Sequence, residues 1–111
     1  MEGTVLWENS KPTEGFSGKT ITIPTDYDYF DIEYTQSSSV RIGCDRVFPG
    51  KSHMLSSFTY SGANKIMLFI REVILSSDAI TITNGRLTVD AESTATYNDA
   101  LVPLRIIGYK S

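Results

Sequence analysis

The chain predicts an all-β fold, an antiparallel two-sheet sandwich of jelly-roll-like connectivity, and three observations point there. β-Branched and aromatic residues gather in short runs bounded by Gly, Pro, Asn, Asp and Ser. Several of these runs alternate apolar and polar side chains with period two, the pattern of a strand with one wet face. Seven to nine such strands, joined by turns, fill 111 residues, a length that suits a single domain spanning 1–111.

Taken in order, Lys19 to Pro24 (KTITIP) puts Ile21 and Ile23 on one side and Thr20 and Thr22 on the other. Tyr29 to Thr35 (YFDIEYT) turns Phe30, Ile32 and Tyr34 to the core and Asp31, Glu33 and Thr35 to water. Val40, Ile42 and Cys44 continue the alternation after the Gln36–Ser39 loop, which makes Cys44 a small buried hydrophobe. Lys65 to Leu75 (KIMLFIREVIL) is apolar enough to be a helix or a strand buried on both faces. Its flanking turn residues favour a long central strand, with a break allowed near Arg71-Glu72. From Ile80 to Val89, ITITNGRLTV reads as a hairpin closed by Asn84-Gly85 in a type I′ turn, with Ile82 opposite Leu87 and Ile80 opposite Val89. Leu101 to Tyr109 closes the chain as a strand, and Pro103, lacking an amide donor, belongs at an edge or a strand start.

Composition excludes whole classes of function. Thirteen acidic residues against ten scattered basic ones leave a net charge of −3, which argues against nucleic acid as a partner. The single cysteine rules out a disulfide framework and any multi-cysteine zinc site. The longest apolar run, Ile66 to Ile70, is too short to insert in a membrane, and Met1-Glu2-Gly3-Thr4 lacks the features of a signal peptide.

Catalytic and metal-binding patterns are equally missing, and no cofactor is expected. The lone histidine, His53, stands in a Gly-Lys-Ser stretch and reads as a solvated loop or strand-end residue. Asp26, Asp28 and Asp31 could form a glycosidase pair, but turn capping and a solvated strand face account for them. Their spacing also fails the calcium-loop pattern. Tyr27, Tyr29, Tyr60 and Tyr97 lie beside turn residues and are the candidate ligand-binding side chains, able to stack on a sugar. The alternative is that they pack at sheet ends or subunit contacts with the phenol at the wet edge. Trp7 reads as core or interface.

The two ends of the chain carry a family resemblance. The opening has Leu6-Trp7, Asn9-Ser10, Pro12, Phe16 and the strand Thr20–Ile23, followed by Tyr29 to Tyr34. The ending has Asn98, Pro103, Ile106, Ile107, Gly108, Tyr109 and Lys110, and mid-chain an Arg precedes apolar residues at Arg46-Val47 or Arg71-Glu72-Val73. This pattern resembles the small β domain at the carboxyl ends of tail-fibre, baseplate and other virion proteins from phages and prophages of Gram-positive bacteria. The chain departs from that family in placing Met1 five residues before Leu6, as a free-standing virion protein or an excised fragment would.

The resemblance implies a non-enzymatic virion structural domain, at a tail-fibre, baseplate or head-fibre tip, that is made in the bacterial cytoplasm and adheres to the host surface. Its implied partners are copies of itself in a homotrimer, other virion proteins and host cell-wall glycan. A purely architectural capsid-decoration or fibre-assembly module, and a free-standing carbohydrate-binding module, are the alternatives. The long apolar segment Ile66 to Leu75 agrees with self-association, since it holds more apolar surface than one sheet face needs.

Overall fold

The computed structural model describes residues 3–24, 26–35, 43–61, 65–76, 78–89 and 94–110. Their strands are β1 (Thr4–Glu8), β2 (Lys19–Thr22), β3 (Tyr29–Thr35), β4 (Gly43–Val47), β5 (Ser52–Ser61), β6 (Lys65–Leu75), β7 (Ala79–Ile82), β8 (Arg86–Val89), β9 (Thr94–Thr96) and β10 (Val102–Tyr109). One sheet runs β1-β10-β3-β4; the other runs β2-β7-β6-β8-β9, with β5 on the opposite side of β6. All pairings are antiparallel. Phe30, Ile32 and Val47 of the first sheet meet Leu55, Phe69, Val73, Ile80 and Ile82 of the second in the core. The fold is thus the expected all-β sandwich. At its two ends the chain crosses between the sheets, from β1 to β2 to β3 and from β9 to β10, whereas β5, β6 and β7 follow one another as neighbours.

The first and last segments knit together. β1 pairs along β10, Asn9 Nδ2 donates to the Pro103 carbonyl at 2.9 Å, and the Asn9 amide donates to the Leu104 carbonyl at 2.8 Å. Pro103 lies at the start of β10, as its missing donor demands, although β10 is an inner strand. β1 ends opposite Arg105, so Asn9 rather than a strand meets the chain at Pro103. Leu6 sits against Gly108 so closely that a Cβ there would stand 2.8 Å from its methyl carbon.

β6 is one unbroken strand, buried on one face only. Phe69, Arg71, Val73 and Leu75 point inward, while Ile66, Leu68 and Ile74 remain exposed on the other side. The expectation of burial on both faces therefore fails within this chain.

The hairpin predicted over Ile80–Val89 is also replaced. β7 and β8 do not pair with each other; both run antiparallel to β6, which β7 meets at Val73–Leu75 and β8 at Met67–Ile70. Residues 83–85 form a bulge opposite Arg71 and Glu72, and neither Asn84 nor Gly85 adopts positive φ. A bulge and a two-residue turn both carry the inward set from even to odd positions, so Ile80, Ile82, Leu87 and Val89 fit either. The eleven residues of β6 decide the matter, because a hairpin would leave much of its flank without a partner.

At this bulge sits a buried arginine, 1% exposed, with no carboxylate on it among the described residues. Arg71 Nε and Nη2 donate to the Ala100 carbonyl at 3.2 and 2.8 Å, and Nη2 also to Asn98 at 3.1 Å. Nη1 donates to the carbonyls of Phe16 and Thr83, both at 2.8 Å. The fork thus ties β6 to three other backbone segments, at Phe16, at Thr83 and at Asn98 to Ala100. Burial pushes its pKa down to about 10, so it stays charged at neutral pH. Gly85 makes the approach feasible: a Cβ there would overlap the Tyr97 carbonyl and lie 2.7 Å from Arg71 Nη2. Leu101, fully buried with φ of 49°, follows directly after the clamped Ala100 carbonyl.

Three further expectations need correction. Glu33 and Thr35 are buried rather than wet, because β3 is an inner strand flanked by β10 and β4. Cys44 is exposed, since β4 is an edge strand and Cys44 points away from the core. His53 is at the start of β5, a strand-end residue as expected but half-buried rather than solvated, with its Nε2 2.7 Å from Asp45 Oδ2. Val40 and Ile42 fall outside the described residues.

Candidate binding face

The outward side of the four-stranded sheet concentrates the polar and aromatic groups that could hold a ligand. Alternation along β3 sends Tyr29, Asp31 and Glu33 outward together, and register supplies each with a neighbour. Tyr29 is opposite Tyr109, Asp31 is opposite Arg46, and Glu33 is opposite Arg105.

The Tyr29 and Tyr109 rings stack with centroids 5.2 Å apart and planes 18° apart. Phe48, just past β4, tilts against Tyr29 at 6.1 Å and is itself exposed. The Arg46 guanidinium lies 4.4 Å from the centre of the Tyr29 ring and 5.3 Å from that of Tyr109. Its Nε and Nη2 donate to the two Asp31 oxygens at 2.9 and 3.2 Å, a bidentate pair that leaves Nη1 outside the fork. Asp31 holds the Arg46 pKa above its ordinary value. The Tyr109 phenol is pushed up too, first by burial and then by the Asp31 charge.

Arg105 repeats the arrangement on the β10 side, donating through Nε and Nη2 to the two Glu33 oxygens and held above its ordinary pKa by them. Half of the Arg46 side chain is in solvent, against 14% of Asp31. The carboxylates therefore hold the guanidinium groups in place, and the guanidiniums meet solvent. Such a face offers ring surface for the apolar side of a sugar, with ordered donors beside it for hydroxyl or acidic groups.

The four tyrosines singled out in the sequence do not form one site. Tyr29 belongs to this face. Tyr27 is half-buried beside Phe30 at 6.2 Å, with Lys110 Nζ 5.1 Å from its ring centre. Tyr97 leans on Phe69 at 5.8 Å beside the other sheet. Tyr60 lies in β5 opposite Ile66, and its side chain falls outside the described residues. Tyr27 and Tyr97 thus serve largely as packing at sheet ends. Tyr109, Arg46, Asp31 and Phe48 are the members that sequence reasoning did not assemble, because their meeting depends on the registers of β3 with β10 and β4.

A second polar cluster joins the two sheets. The Tyr34 hydroxyl donates to Asp45 Oδ1 at 3.0 Å while His53 meets the other oxygen. Burial, then the Asp45 carboxylate, push the Tyr34 phenol up to about 12. Cys44, the adjacent thiol, is on the opposite face of β4, so alternation keeps it away from His53. Of the acidic residues Asp26, Asp28 and Asp31, Asp26 pairs with Lys110 at 2.8 Å and Asp31 with Arg46. A hollow of about 80 Å³ near Met54, Glu72, Asn84 and Arg86 has room for a few waters, far less than a sugar ring needs. Comparison with protein-family models, curated proteins and solved structures finds no match.

Proposed function

We propose that this chain is a non-enzymatic structural domain of a phage virion that engages host-surface glycan through the outward face of its four-stranded sheet. The observation that carries the reading is the Tyr29–Tyr109 stack with Arg46 fixed across it by Asp31. Rings and guanidinium are both ordered before any ligand arrives, which lowers the entropy lost on binding.

Several residues that carry the resemblance at the chain ends also make contacts between distant segments. Phe16 and Asn98 both supply carbonyls to Arg71, Asn9 grips Pro103, and Leu6 packs on Gly108. These contacts help hold the domain shut. An architectural role without glycan is the second reading, favoured by the exposed apolar side of β5 and β6.

Binding to arrays of neutral and acidic cell-wall saccharides, and to host cells, tests the proposal. The wild-type protein should bind, and Tyr29→Ala and Arg46→Ala should each weaken binding by about tenfold or more. No binding above background, or binding indifferent to both substitutions, would remove the adhesive role.

A further inference from the structure

We infer that two copies of this chain join edge to edge along β5, in a two-fold antiparallel pairing centred on Ser56, in place of the homotrimer that the resemblance at the chain ends implies. β5 pairs with β6 and with no other strand among the described residues, so its outer side offers a row of backbone donors and acceptors. Sheet edges of this kind are ordinarily blunted by shortness, charge or proline. The other edges follow that rule: β1 and β4 have five residues each and carry charges, β2 has four with Lys19, and β9 has three. β5 has ten residues, SHMLSSFTYS, with no Lys, Arg, Asp, Glu or Pro.

The sequence of this edge is self-complementary in one register. Opposed residues of an antiparallel pair share a face, so the even positions of β5 must meet even positions of the second copy. Centring on Ser56 sets Met54 against Phe58 of the second copy and Phe58 against its Met54, on either side of two small serines. Thioether and aromatic ring are a favourable pair. Centring on Leu55 or Ser57 would instead set Met54 or Phe58 against serine.

Both side chains are conspicuously uncovered, Phe58 at 77% and Met54 at 46% exposed. Leu68, Ile66 and Ile74 flank them on the same side of the sheet. Pairing at Ser56 would merge the two apolar stripes into one surface, and a two-fold contact closes on itself rather than propagating into a fibre. The inference is independent of the glycan-binding face, which belongs to the other sheet.

Light scattering and sedimentation of the whole chain over a wide concentration range test it. The expected species has twice the 12.3 kDa protomer mass. Ser56→Lys, on an exposed side chain, brings two like charges to the axis and should weaken association by about tenfold or more. Circular dichroism checks that this variant remains folded. On oxidation, Ser56→Cys in a Cys44→Ser background should yield a covalent dimer, and Ser57→Cys in the same background should not. A monomer at every concentration, a trimer, or a dimer indifferent to Ser56→Lys would overturn the inference. Cross-linking at position 57 in preference to 56 would overturn the register.

Discussion

Replacing Arg71 with Met puts the structural account at greatest risk. The substitution keeps an apolar stem but removes the donors to the carbonyls of Phe16, Thr83, Asn98 and Ala100. Stranding a buried acceptor costs about 1–3 kcal/mol; the Phe16 and Ala100 carbonyls sit in buried bonds and those of Thr83 and Asn98 in part-buried ones, so two at about 2–3 kcal/mol and two at about 1 kcal/mol would total about 6–8. Against this, a neutral side chain is relieved of desolvation, which for a guanidinium lowered to about 10 is worth about 3 kcal/mol. The net loss is then about 3–5 kcal/mol, a large share of the stability of a small domain.

Urea unfolding followed by tryptophan fluorescence should show the midpoint fall by about 2–3 M, given a slope of about 1.5 kcal/mol/M for this size. Buried ion pairs in other proteins have been exchanged for apolar side chains at no cost, but there every partner was replaced as well. Here the partners are backbone and cannot be removed. A variant within about 1 kcal/mol of wild type would refute the reasoning, since the carbonyls would then be satisfied without the guanidinium.

Other outcomes follow from the same geometry. Gly85→Ala forces a methyl into the Tyr97 carbonyl and the Arg71 fork, and should cost about 2–3 kcal/mol in thermal unfolding. Tyr34 keeps its proton to about 12 when folded, whereas an unfolded tyrosine ionises near 10, so its contribution is complete below pH 10 and lost as pH rises to 12. The stability advantage of wild type over Tyr34→Phe should therefore shrink by about 2 kcal/mol across that window, read by urea unfolding at each pH. Arg46→Ala should leave the melting temperature close to that of wild type, as solvent-exposed ion pairs contribute little, while saccharide binding falls.

Much of the fold was legible because burial writes itself into period-two patterns. Phe30, Ile32 and Tyr34 point inward as the alternation of β3 requires. The misreadings share a cause: pattern reports which face a residue takes, not which strand lies beside it. Asn84-Gly85 offered the residues of a tight turn, yet Asn84 Oδ1 accepts from the Gly18 amide at 2.7 Å and Gly85 leaves room for Arg71. Glu33 and Cys44 exchanged their expected environments because β3 is central and β4 marginal, a fact of sheet order. Of the binding face, Tyr29 was visible as an aromatic near a turn. Tyr109, Arg46 and Asp31 became its companions only through pairings between segments far apart in the chain.

The central functional claim is that saccharide meets this protein on the outward side of β3, β4 and β10. An NMR titration of the isotopically labelled chain with a saccharide that it binds tests this most directly. Shifts should concentrate at Tyr29, Asp31, Arg46, Phe48 and Tyr109, leaving β5 and β6 unmoved. Shifts centred on β5 and β6, or on Tyr97, with the Tyr29–Tyr109 stack unchanged, would contradict it.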